Sequence, residues 1–514
     1  MLHDLYGFSQ KNCLSTEKKH LTAKKRHLSI AFAANIICTY LRFRLINRRM
    51  NMIKVRRLTV IVFLGAGLLP GISAQESSVQ TAAQSEMNLP AQWDLQSCID
   101  YALQQNITIR KNRVNAESTQ IDVKTAKATL FPSLSFSTSQ NMVNRPYQES
   151  SRTISGSEVI ETTSKTSYNG NYGLNASWTI YNGSKRLNTI KQEKLNNQAA
   201  NLDVETSENS IQESIAQIYI QILYAAESVK VNENTLQVSI AQRDRGQELL
   251  NAGSIAKSDL AQLEAQVSTD RYQLVTAQAT LQDYKLQLKQ LLELDGENEM
   301  NVYLPALSDE NVLLPLPTKK DVYMSALTLR PEIEASKLSV EASELGIDIA
   351  KAGYLPTISL SAGIGTNHTS GSDFTFGEQV KNGWNNSIGV SVSVPIFNNR
   401  QTKSAVQKAK LQRETSLLSL LDEQKTLYKT IEGLWLDANS AQQRYAAANE
   451  KLKSTQISYD LISEQFNLGM KNTVELLTEK NNLLQAQQEQ LQAKYMAILN
   501  TQLLKFYQGD KLAL

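Results

Sequence analysis

The sequence predicts a mixed α/β membrane protein built from two internal repeats, each combining very long helices with a pair of short strands. Three observations carry that expectation. The stretch Ile109–Phe136 aligns without a gap on Ile333–Leu360, with Ala126-Lys127-Ala128 on Ala350-Lys351-Ala352 and Phe131-Pro132 on Leu355-Pro356. From Gly183 to Leu250 no proline intervenes, and Gly246 alone breaks the run near its end. Between the helical stretches, strictly alternating segments such as Ser133–Thr138 set Leu134 and Phe136 against Ser133, Ser135 and Ser137. A repeat this long is a duplicated half-molecule rather than a solenoid unit.

Composition agrees. The 514 residues include 22 Gly, 10 Pro and 7% aromatics, and long Ala/Gln/Leu/Glu/Lys/Asn stretches without breakers favour long helices over compact α/β units. The formal charge of +3 is misleading. Residues 1–74 hold 13 lysines and arginines against Asp4 and Glu17. Without them 40 basic and 48 acidic residues remain, a net charge of −8, which removes electrostatic support for a nucleic-acid partner.

Residues 50–74 read as a secretory signal: Lys54, Arg56 and Arg57, an apolar run Leu58–Leu69, and Ile72-Ser73-Ala74 before Gln75. The apolar run is too short to span a bilayer as a helix. No cysteine follows it, so anchoring through a signal-adjacent lipidated cysteine is not expected. Residues 1–49 are expected to be an upstream mis-start, with an authentic basic extension as the alternative. After processing only Cys98 and His368 remain of their kinds, leaving no internal disulfide.

The elements follow in order. Residues 75–93 are a polar leader. Asp94 caps a short helix with Leu95, Ile99, Ala102 and Leu103 at helical spacing, and Asn106 restarts a second that Pro132 ends. Strands are expected at about 133–144 and 168–182, flanking a polar loop at 140–167. A helix follows from Gly183 to Leu250, roughly 100 Å long. Gly253 turns the chain, and Asp259–Leu292 runs back. The first repeat thus covers 94–294. A Pro/Asp/Asn-rich linker occupies 295–320, and the second repeat, 321–508, has strands at about 357–367 and 384–396 around a polar loop at 366–383. A long helix Asn399–Gln465, a turn at Gly469 and a helix to Tyr507 complete it, before a tail at 509–514.

Each strand is long enough to cross a bilayer when tilted. Four such strands leave two sheet edges open, which is not viable in a membrane unless the edges are closed. Tyr172, Trp178, Tyr181, Trp384 and Phe397 sit where interfacial aromatics are expected. A soluble sandwich is the bland alternative. The polar surfaces of the long helices suit a tube wet on both sides, since a globular core demands a wider apolar stripe.

At these residues the chain resembles the TolC family of outer-membrane efflux proteins. The resemblance covers essentially Ala91–Tyr507. It rests on the duplicated order of "TLFPSLSFS" and "GYLPTISLSAG", "WTIYNGSKR" and "VPIFNNRQT", and the turns "NAGSIAKSDL" and "NLGMKNTVEL". It implies a homotrimer whose twelve strands close a barrel in the outer membrane of a Gram-negative bacterium. The helices would continue as an α-barrel across the periplasm, with the linker in an equatorial belt. It also implies a periplasmic adaptor (membrane fusion) protein and an inner-membrane transporter of RND or ABC type as partners, besides outer-membrane lipid. In relatives the periplasmic end is a gate. Transferred position by position, the gate candidates are Asp259, Glu475, Lys471 and Phe466, while Gly253 and Gly469 mark tips that meet the adaptor. Lys471 stands where some relatives carry Arg and Phe466 where they carry Tyr, so the guanidinium fork and the phenol are missing. Against this stands the plain reading that both acids are solvated charges at helix starts, Asp259 serving as a cap.

No phosphate-binding loop is present, and one mature histidine leaves no His-based catalytic or metal set. No cofactor, metal or enzymatic activity is expected. The leading function is therefore a passive exit duct for small toxic molecules in a tripartite efflux system. A protein-secretion duct beside an ATP-driven transporter and a periplasmic coiled-coil scaffold without a pore are the alternatives.

Overall fold

A computed structural model describes residues 90–147, 151–155, 158–162, 165–295, 300–305, 312–372 and 374–513, those of 151–162 by backbone alone. The expected extension at 1–49, signal at 50–74 and most of the leader lie outside the described residues.

The capping residues start the helices where the sequence predicts. The Asp94 carboxylate accepts the Ser97 N–H at 2.9 Å to open α1 (Leu95–Gln105), and the Asn106 side chain accepts from Thr108 and Ile109 to open α2 (Ile107–Ala128). Strands β1 (Ser133–Asn144) and β4 (Thr166–Asn182) lead into α3 (Lys185–Asn251), which returns as α4 (Lys257–Leu291). The second half begins with α5 (Lys319–Leu329) and α6 (Pro331–Lys351). It continues through β5 (Thr357–Thr369), α7 (Phe376–Asn382), β6 (Asn385–Ser393), α8 (Gln401–Asn467) and α9 (Thr473–Gln508). Each strand-to-helix turn uses two left-handed residues: Gly183 and Ser184 before α3, Asn399 and Arg400 before α8. The duplication therefore extends to backbone conformation, although only one of those four residues is glycine.

The sheet order is β1-β4-β5-β6, antiparallel throughout. Its register sorts the side chains by face. Leu134, Ala176, Ala362 and Ile388 form one row across all four strands, and the next row is Ser135, Asn175, Gly363 and Ser387. Phe136, Leu174 and Ile364 continue the first face; Ser137, Gly173, Gly365 and Asn385 continue the second. A bulge at Thr179/Tyr181 skips Ile180 and returns Tyr181 to the apolar face opposite Ile358.

The two 67-residue helices, α3 and α8, run the full length, about 100 Å each. In one half they pack with α2 and α6, in the other with α4 and α9. The Asn106 amide donates to the Leu291 carbonyl at 3.0 Å, so α2 stacks on the end of α4. Apolar burial concentrates midway, where Ile215, Tyr219 and Leu223 of α3 meet Cys98, Leu288, Tyr445 and Ile498. A second cluster joins Val322, Ile333, Ile431 and Leu504. Residues 300–305 and 312–317 pack against this waist: Val302 bridges Trp93, Trp435 Nε1 donates to the Pro317 carbonyl, and the Gln442 amide donates to Val312 and Leu314.

Five elements differ from the sequence expectation, among them β6, which ends at Ser393 rather than at about 396. β4 starts at 166, and the 140–167 segment contains a separate hairpin of β2 (Ser151–Ser155) and β3 (Glu158–Thr162). β5 runs on to Thr369 because its polar end pairs with β4 through backbone bonds that ignore side-chain character. The 366–383 stretch, expected as a loop, holds α7, started by a Thr375–Glu378 capping box. Thr318, whose hydroxyl accepts the Asp321 N–H, opens a separate helix, α5, inside the last residues of the expected linker.

Candidate conduction path and periplasmic gate

The sheet is a wall with chemically opposite sides. One face is mainly aliphatic and aromatic, with Asn386, Thr138 and Thr366 among its side chains; the other carries Ser, Asn and Gly through its central rows. The four strands contain no Asp, Glu, Lys or Arg. A sheet of this kind separates hydrocarbon from water. Its outer strands, β1 and β6, each have one edge unpaired among the described residues. Among the described residues no helix is long and apolar enough to cross a membrane.

The predicted interfacial aromatics divide by position. Tyr172, Trp178 and Tyr181 lie on the apolar face, and Trp178 Nε1 donates to the Leu130 carbonyl at 2.7 Å, tying the sheet to the end of α2. Trp384 precedes β6 and Phe397 follows it, both exposed.

At the other end, Gly253 (φ 74°) and Gly469 (φ 73°) make the two helix reversals, as the sequence requires. The gate candidates are not gathered into one cluster within the chain. Lys471 and Glu475 form a 2.7 Å ion pair in the second tip. Glu475 also accepts the Asn472 N–H, and the Asn472 side chain accepts the Glu475 N–H, a capping box at the start of α9. The Lys471 ammonium and the Asn472 N–H hold the Glu475 carboxyl below its usual range. Asp259 stands in the first turn of α4 and accepts the Ala256 N–H at 3.1 Å; with alanine at the cap, Asp259 supplies the side-chain cap. Phe466 is buried in the last turn of α8.

Sequence reasoning missed a buried polar layer above the tips. Lys480 of α9 bonds both Asp270 of α4 and Ser239 of α3, and Ser239 donates to Asp270. The three are 3%, 1% and 2% exposed. Gln266 donates to the other Asp270 oxygen at 2.9 Å and to Asn481 at 3.4 Å, and Gln242 donates to Tyr459 at 2.9 Å. These contacts join the α3–α4 hairpin to the α8–α9 hairpin. Burial pulls the Lys480 ammonium below its usual range, and Asp270 opposes the shift. A signal existed: Leu476, Lys480 and Leu483 share one helix face, as do Leu263, Val267 and Asp270, so each charge interrupts an apolar stripe.

Among the described residues no group of three His, Cys, Asp or Glu could hold a metal ion. A two-faced sheet with open edges, continued by helices about 100 Å long, is the architecture of a membrane channel. Comparison with known proteins narrows the class. The family described as "Outer membrane efflux protein" matches residues 98–293 and 322–509, and the chain belongs to it. The outer membrane efflux protein BepC of Brucella suis biovar 1 is 24% identical over 358 residues, covering 69% of this chain and 75% of that protein. The outer membrane protein TolC of Salmonella enteritidis is 23% identical over 454 residues, covering 86% and 85%. The crystal structure of the Campylobacter jejuni CmeC outer membrane channel superimposes with a TM-score of 0.67 at 19% identity, covering 82% of this chain and 87% of CmeC. The protein is an outer-membrane efflux duct, a passive channel and not an enzyme.

Proposed function

We propose that three copies close a twelve-stranded outer-membrane barrel, continued by an α-barrel into the periplasm, as the exit duct of a tripartite efflux system. A periplasmic adaptor and an energised inner-membrane transporter (RND or ABC type) would feed it small toxic molecules, because nothing in this chain supplies energy. The observation that carries the reading is the pair of bare edges, β1 and β6, on a sheet with one apolar and one polar face. Such edges are tolerable in hydrocarbon only when paired. Pairing β6 of one copy with β1 of the next satisfies every strand and turns the Ser/Asn/Gly face onto a water-filled bore. A scaffold without a pore has no use for a two-faced sheet.

The gate belongs at the tips and the layer above them. Asp259 and Glu475, tripled around the axis, would narrow the lumen, with Lys471 partnering Glu475 and Phe466 anchoring the end of α8. The reversals at Gly253 and Gly469 would meet the adaptor. The test is planar-bilayer conductance of the reconstituted protein with cross-linking of its subunits. A cross-linkable trimer carrying small, flickering currents, larger in Asp259→Ala and Glu475→Ala, is expected. Extraction from membranes by carbonate without detergent, with no current, would sink the duct. Large currents unchanged in both variants would keep the duct and remove these carboxylates from its gate.

A further inference from the structure

The charge of this chain is segregated along the axis of the molecule. The four strands of the β1-β4-β5-β6 sheet carry no Asp, Glu, Lys or Arg. The twelve residues on the helical side of each strand, 121–132, 183–194, 345–356 and 394–405, hold nine lysines and arginines against three acids. The rest of 75–514 holds 31 against 45. A collar of net charge +6 therefore rings the periplasmic end of the sheet in an otherwise acidic chain.

Some collar residues are engaged locally. Lys351 pairs with Asp348 at 2.8 Å, and the Arg186 guanidinium donates to the Thr129 and Thr179 carbonyls. Lys127, Lys185, Lys191, Lys194, Arg400 and Lys403 are exposed and form no ion pair with a described acid. Lys185 is three residues past β4, and Arg400 immediately precedes α8. Both stand where sheet passes into helix, and a headgroup zone about 5–7 Å deep flanks the hydrocarbon on each side of a bilayer. Lys191 and Lys194 stand only about 10–14 Å further along α3.

Two features put the collar on the lipid side. Leu187, Lys191 and Lys194 follow one helix face, with the exposed leucine nearest the membrane and the lysines beyond it. In that order the lysine stems cover apolar surface while their ammonium ends reach outward. A water-filled bore gives Leu187 no apolar contact. The collar is also continuous with the lipid face: Trp178, in an apolar row, donates to the Leu130 carbonyl, and Arg186 donates to the neighbouring Thr129 carbonyl.

We propose that this collar binds the anionic headgroups of phospholipids in the periplasmic leaflet of the outer membrane and so fixes the depth at which the duct sits. The inference rests on the sheet spanning that membrane. Each lysine or arginine near a surface favours an anionic over a zwitterionic headgroup by about five-fold in association constant.

The test uses purified protein in phosphatidylcholine vesicles doped with spin-labelled phosphatidylcholine or spin-labelled phosphatidylglycerol. The lipid immobilised at the protein is measured in low and high salt. The expected result is a preference of about five-fold for phosphatidylglycerol, shrinking in high salt. It should approach unity in the variant K185Q/K191Q/R400Q/K403Q, whose conductance should match the unmodified protein. A preference that survives in the variant overturns the proposal. So does an unchanged lipid preference accompanied by a shift of reversal potential toward cations, which would place the collar in the bore. Protein that immobilises no lipid of either kind fails the membrane-spanning reading itself, a separate outcome.

Discussion

Replacing Lys480 by methionine tests whether the two hairpins are joined by a buried charge. Methionine fills much the same space, so the change removes the ammonium and leaves the Asp270 carboxylate, 1% exposed, with only Ser239 and the Gln266 amide as partners. Removing one partner of a buried pair typically costs about 3–5 kcal/mol. The two surviving hydrogen bonds place this site near the lower figure, about 3 kcal/mol, or roughly a hundred-fold in a local opening equilibrium. Hydrogen exchange reads that equilibrium directly. Amides around Asp270 in α4 and Lys480 in α9 should lose about two orders of magnitude of protection, while those at the waist near Tyr219 keep theirs. The double variant Lys480→Met with Asp270→Leu removes both charges, and buried pairs replaced by apolar residues are often neutral or better. It should recover most of the protection. In bilayers the single variant should stay open longer and the double variant should resemble the parent. If the single variant keeps its protection, the layer is not a structural tie. If the double variant is as loose as the single, shape rather than charge joins the hairpins.

Three further perturbations separate local from tertiary effects. The Glu475 carboxyl titrates below its usual 4.5 in the folded tip because Lys471 and the Asn472 N–H favour its ionised form. That contribution is present above pH 4.5 and lost as pH falls through the lowered folded value. Proteolysis at the second tip by an acid-stable protease should therefore accelerate below that point, and Glu475→Gln should abolish the pH dependence. Gly253→Ala and Gly469→Ala meet no atom within 4 Å, so their cost is the left-handed backbone alone, about 1–2 kcal/mol each, seen as faster nicking at the altered tip. Gly433→Ala, also with nothing within 4 Å but inside α8, should instead stabilise by up to about 1 kcal/mol in thermal dissociation. Arg330→Met deprives Glu213 of a 2.9 Å partner and Tyr507 of a guanidinium 3.6 Å above its ring, and should cost about 2 kcal/mol. Burial already raises the Glu213 carboxyl, against the pull of Arg330, so the deficit should shrink on acidification as Glu213 takes a proton.

The parts of this protein that face two different solvents were the parts legible in sequence. A strand between lipid and water must alternate at every residue, so Leu134-Ser135-Phe136 declares both the strand and its two faces. Long helices showed themselves by the lack of breakers, and their reversals by Gly253 and Gly469, where the backbone takes φ of 74° and 73°. Legibility failed where backbone pairing or short range decided the outcome. The end of β5, Asn367-His368-Thr369, has no apolar alternation and is extended only because β4 offers Asn171, Gly170 and Asn169 as partners. Helix α7 is seven residues long, too short for a periodic signal; its Thr375–Glu378 box was the available cue.

The polar layer is the most instructive case. Lys480 and Asp270 could each be seen as a charge inside an apolar stripe, which is a reason to look for a partner. Their pairing joins residues 210 apart across two halves of a duplication. It is also where the duplication ends. Lys480 lies eleven residues past Gly469, and the position eleven past Gly253 is Glu264, not a lysine; Gly253 is likewise followed two residues on by Ile255 where Gly469 is followed by Lys471. The second hairpin thus holds a tip ion pair and sends the lysine, while the first supplies the buried acceptors. Two hairpins with the same backbone have become donor and acceptor of one contact, so a change that loosens it must move one against the other.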